Sequence, residues 1–111
     1  MLTMDALRQF GANVQEGLER CMNDEGFYLE LIQMALDDGS FEALSAAVAA
    51  GDKKAAFQAA HALKGVLANV ALTPLSQEIS EMTELLRAEK DADYPGYVAR
   101  ILRLRDTLRA L

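Results

Sequence analysis

The sequence predicts an all-α fold, an antiparallel four-helix bundle with a short N-terminal helical addition, and three observations carry that reading. Apolar residues recur at the three- and four-residue spacing of a helix face in each long segment from Asp24 onward. No stretch alternates apolar and polar residues as a half-buried strand would. Only two prolines interrupt 111 residues that are 51% hydrophobic, and alanine, leucine and glutamate dominate, as in helical proteins. A chain of this length forms one domain around a single core. Residues 1–22 read as a helical lid and 24–111 as the bundle.

Each element has its own signals. Thr3 caps a short helix that carries Leu7 and Phe10, Gly11 and Asn13 end it, and Val14 to Met22 reads as a second short piece. Neither is long enough to stand alone. Asp24 caps the next helix, where Tyr28, Leu31, Ile32, Ala35 and Leu36 fill one face. The run Asp37-Asp38-Gly39-Ser40 then bends or breaks it before Phe41, Leu44 and Val48 resume the apolar face, so 25–50 is one bent helix or two. Gly51 closes this segment and Asp52 opens a helix that reads through to Leu72. Thr73, as cap, and Pro74, at the first helical position, start its partner. So short a connection makes the two antiparallel neighbours. Leu75, Ile79, Met82 and Leu86 form the partner's buried stripe, and Glu78, Glu81, Glu84 and Glu89 its wet face. Asp93 caps the last helix, Pro95 fits its first turn, and Tyr97, Ile101, Leu104, Leu108 and Leu111 share one side. Arg100, Arg103, Arg105 and Arg109 fall mostly on the others.

Composition limits what the chain can do. A net charge of −6 argues against a nucleic-acid partner, and no basic stripe with interleaved aromatics is present. The lone Cys21 cannot form an internal disulfide and fits a small apolar group in a reducing cytoplasm. The stretch up to Asp5 lacks the basic region and apolar core of a signal peptide, and no apolar run is long enough to span a membrane. A soluble, cytoplasmic, monomeric protein is expected, with Met1 suggesting one that stands alone.

The bundle is organised around Ala59 to Thr73, AAHALKGVLANVALT, which holds His61, the only histidine. At about 100° per residue, Ala56, Ala60, Leu63, Leu67 and Val70 form the core stripe, and His61 lies roughly 140° from its centre, on the solvent side. Lys64 and Gly65 are one turn further on. An exposed Gly within a helix costs about 1 kcal/mol relative to Ala. Beside a projecting histidine it makes sense if another surface must come close; otherwise it is a tolerated surface residue. The helical neighbours of His61 include no second metal ligand, so no metal or other cofactor is expected. The sequence contains no nucleophile elbow and no Gly-rich phosphate loop, so neither a hydrolase nor an autonomous kinase is supported. What remains is an exposed imidazole, which accepts a phosphoryl group if a donor arrives on another protein.

His61-Ala62-Leu63-Lys64-Gly65, followed by Ala68-Asn69, resembles the signature of the histidine phosphotransfer domains of bacterial phosphorelays, and the helix order from Asp24 to Leu108 is similar to theirs. Ala71 departs from the pattern, since many members carry glycine there. The resemblance implies that His61 accepts a phosphoryl group from the phospho-aspartate of a response-regulator receiver domain and passes it to another receiver, downstream of a sensor histidine kinase, often a hybrid one. Any Mg²⁺ belongs to the receiver, and the chain is a carrier without kinase activity of its own. Lys64 would then offset the phosphate charge, unless it is simply a surface lysine. Gly65 would give clearance, and Phe57, Ala68 and Leu72 an apolar docking surface, with core-edge packing the plainer role for Phe57. The alternative function is a helical adaptor that docks a receiver or kinase without being phosphorylated.

Overall fold

The computed structural model describes residues 2–111; Met1, on which the stand-alone expectation rests, lies outside them. Seven helices and no strand make up the described residues: α1 (Met4–Phe10), α2 (Val14–Arg20), α3 (Glu25–Leu36), α4 (Ser40–Ala49), α5 (Lys53–Asn69), α6 (Thr73–Arg87) and α7 (Tyr94–Arg109). Helices α4 to α7 close a four-membered ring in which α5 lies between α4 and α6, and α7 between α6 and α4. The fold is the expected antiparallel bundle.

Local chemistry starts most helices where the sequence places them. Thr3, Asp24, Asp52 and Asp93 each accept a hydrogen bond from a backbone N–H two or three residues into the helix that follows, satisfying a group the helix itself leaves unpaired. Gly11 and Gly51 close helices with positive φ, of 105° and 71°. Residues 25–50 form two helices. The Asp38 carboxylate accepts from the Ser40 N–H at 2.8 Å and starts α4 afresh. Thr73 does not cap α6 as expected: it is the first helical residue, and Leu72 occupies the cap position with no side-chain bond.

The core is continuous. Tyr28, Ile32 and Leu36 of α3, Phe41 and Leu44 of α4, Leu63 and Leu67 of α5, Leu75, Ile79 and Met82 of α6, and Ile101 and Leu108 of α7 are all buried in it. Ala56 and Ala60 are buried too, and their small side chains let the neighbouring helices approach α5 closely. Arg105, one of four arginines that the sequence sets mostly off the apolar side of α7, lies on the buried side. It is 9% exposed, its guanidinium bonds to Glu42 at 3.0 Å, and it lies 5.1 Å from the Phe41 ring centroid. It thus ties α7 to α4 with both its stem and its charge.

Helices α1 to α3 pack over the end of the bundle where α5 finishes and α6 begins. The Asn13 N–H donates to the Ala71 carbonyl at 2.9 Å, and the Tyr28 hydroxyl to the Val70 carbonyl at 2.8 Å. Burial, with the nearby Cys21 and Glu16, pushes the Tyr28 phenol up from 10.0 to about 12. The stability tied to the neutral, buried phenol is therefore complete below pH 10.0 and is lost as pH rises towards 12. Tyr28→Phe should cost about 1–2 kcal/mol at neutral pH in urea denaturation, because it strands a buried carbonyl. A loss indistinguishable from zero would mean that Val70 finds another partner.

Candidate functional site

The orientation of His61 follows from what α5 buries. Ala56, Ala60, Leu63, Leu67 and Val70 face the core, as the periodicity predicts, while Lys54, Gln58, His61, Ala62, Gly65, Ala68 and Asn69 are exposed. Turning the helix enough to hide His61 would expose Leu63 and Leu67, at roughly 1.5–3 kcal/mol each. The imidazole is thus held outward by the burial of leucines on the opposite side of the helix. His61 also sits midway along the 17 residues of α5, away from either frayed end.

Gly65 lies on the same face, and a Cβ built on it would meet nothing within 4 Å. Nothing among the described residues requires a glycine there. Phe57, half-buried, lies one turn before His61, with ring centroids 5.7 Å apart and planes tilted by 38°. Ala68 is exposed further along this face. Leu72 is a correction: it is 0% exposed and belongs to the core, so it cannot line a docking surface. Helix α5 ends at Asn69, and the chain reverses at Ala71, whose φ is +54°, which turns Leu72 inward.

Lys64 is partly covered and engaged. Its ammonium lies 3.4 Å from a carboxylate oxygen of Glu84 on α6. The other Glu84 oxygen is 3.3 Å from Nε of Arg87, whose guanidinium stands 5.1 Å from the centroid of the Phe57 ring. Lys64, Glu84, Arg87 and Phe57 therefore form a chain of contacts that leads back to His61. Partial desolvation pushes the Glu84 carboxyl up, but Arg87 and Lys64 more than offset it and hold it below the usual carboxylate range. Glu84 thus stays ionised, and the pairing intact, until pH falls through that lowered value. The helical pattern sets Glu84 on a plain wet face and gives Arg87 no role. The short antiparallel α5–α6 connection hinted that residues of the two helices meet, but not which ones. Among the described residues, no three His, Cys, Asp or Glu side chains converge as a metal site requires, and no helix is long and apolar enough to cross a membrane.

The bundle thus presents its histidine at the surface from the middle of α5, with a cation and an unobstructed glycine one turn on. The family model described as the Hpt domain matches residues 27–111, and the chain belongs to this family of histidine phosphotransfer domains. Membership gives it a phosphotransfer role in phosphorelay signalling, with receiver domains and kinases as the kind of partner. Comparison with curated proteins and with solved structures gives no match. The departure at Ala71 has a physical content here. The left-handed backbone at that residue suits glycine, and a non-glycine residue there costs roughly 1–2 kcal/mol. The turn forms all the same, with Ala71 buried.

Proposed function

We propose that His61 is the phosphorylated residue and that the chain, acting as a monomeric single domain, relays a phosphoryl group between receiver domains. A lone pair of a neutral imidazole nitrogen attacks the phosphorus of the receiver's aspartyl phosphate. The N–P bond forms as the P–O bond to the carboxylate breaks, and the aspartate leaves with the electron pair. The proton on the other ring nitrogen stays in place, so this chain needs no general base for the step. It supplies position, open access and a nearby positive charge, while the receiver supplies its own metal ion.

One observation supports this reading above the others: the chain's only histidine is exposed at mid-helix beside an unobstructed Gly65, within the residues that the family match covers. Phe57 and Ala68 are the apolar surface against which a receiver would rest. The test is incubation with a phosphorylated receiver, followed by assay for acid-labile, base-stable label on this chain. Transfer supports the carrier. Tight binding to the receiver with no transfer would make the chain a docking adaptor instead.

Lys64 has a defined share in this. Its charge lies one turn from the imidazole, so Lys64→Ala should lower the extent of phosphorylation by about two- to fivefold at low salt, the scale of one exposed ion pair. The difference should shrink as salt screens it. Equal extents at every salt concentration would remove Lys64 from the site.

A further inference from the structure

We infer that Glu84 is a positioning residue that sets how strongly the site holds a phosphoryl group, by competing with it for Lys64 and Arg87. The inference rests on His61 being the carrier. One carboxylate engages two cations near His61, Lys64 at 3.4 Å through one oxygen and Arg87 at 3.3 Å through the other. Arg87 is kept beside the site by its place over the Phe57 ring, which also neighbours the His61 ring. All three charged side chains are substantially exposed, and exposed ion pairs of this kind are weak and readily exchanged.

Glu84 therefore occupies, in the unphosphorylated chain, the electrostatic place that a phosphoryl group on His61 would claim. A phosphoryl group carries more negative charge than a carboxylate and offers more acceptor oxygens. Once it is attached, Lys64 can turn towards it, and Arg87 can follow across the face of Phe57. The ionised Glu84 then pulls both cations back and repels the phosphoryl group itself. A relay intermediate benefits from such opposition, because a group held too firmly on His61 is not passed on. Glu84 makes and breaks no bond in this account. It acts only on where the two cations spend their time.

Phosphoryl-transfer equilibrium between His61 and a receiver aspartate measures this balance directly. Glu84→Gln keeps the shape of the side chain and removes its charge, so the equilibrium should move towards phosphohistidine by about two- to fivefold at low salt. The shift should fade at high salt. It should also be reduced in a Lys64→Gln, Arg87→Gln background, where no cation remains to be released. A merely structural role for Glu84 would instead appear as a lower melting temperature with an unmoved equilibrium, and that result overturns the inference. So does a shift away from phosphohistidine, or an undiminished shift in the background lacking both cations. If neither protein forms phosphohistidine, the carrier reading has failed, and this inference fails with it for that separate reason.

Discussion

His61→Gln is expected to abolish phosphorylation of this chain by any donor, with no residual acid-labile label. The expectation is all-or-none because the sequence holds a single histidine, so no second imidazole can substitute. Gln is close to His in polarity and a better helix former, and the position is exposed. Stability should therefore change by less than about 0.5 kcal/mol. The ring does lie 5.7 Å from that of Phe57, but the imidazole is exposed, so little buried area is lost with it. Retained acid-labile label in the Gln variant would place the phosphate elsewhere. An unfolded variant would show that α5 depends on the imidazole for packing, contrary to the burial of Leu63 and Leu67 beneath it.

Gly65→Gln should have two opposite effects. Glycine is the poorest helix former after proline, and a Cβ at this position meets nothing within 4 Å. The substitution should therefore stabilise the isolated protein by up to about 1 kcal/mol, read as a higher urea midpoint. Phosphotransfer from a receiver should nevertheless fall, by about ten- to a hundredfold. A long side chain one turn from His61 would stand where the partner must come to bring phosphorus and nitrogen within about 3–3.5 Å. A small phosphodonor needs no docking surface, so its rate should change far less. The contrast between the two donors separates clearance from chemistry. Equal loss with both would mean that Gly65 acts on the imidazole itself, and no loss with either would leave the glycine without a role in access.

What the sequence made legible follows from what a helical period can encode. Ala56, Ala60, Leu63 and Leu67 of α5, Val70 just after it, and the four stripe positions of α6 are apolar at regular spacing and all buried, so the outward phase of His61 is legible in the sequence. Caps were legible where a side chain does the capping, as at Asp24, Asp52 and Asp93. The position of Leu72 is not legible because the apolar run gives no sign that the backbone turns left-handed at Ala71, a conformation that alanine seldom signals. Continued as a helix to Leu72, the chain would put that side chain on the flank of His61; the actual reversal puts it in the core. The burial of Arg105 is not legible for another reason. Periodicity sorts residues by polarity, and an arginine that lays its stem on Phe41 and its charge on Glu42 satisfies both faces at once. The contacts of Lys64 with Glu84, and of Arg87 with Phe57, depend on the rotation of α6 against α5, which a one-dimensional pattern does not hold.

The single histidine also gives the most direct measurement of the central proposal. A long-range proton–nitrogen NMR spectrum of the uniformly labelled protein contains one pair of imidazole nitrogens, those of His61. On addition of a phosphorylated receiver, one of the two should move to a new position and show coupling to phosphorus, while the backbone spectrum of the core helices stays in place. The new signal should vanish on brief acid treatment and survive base. An imidazole spectrum that remains unchanged while the receiver loses its phosphate would contradict the account, because the phosphoryl group would then have gone to water or to another residue.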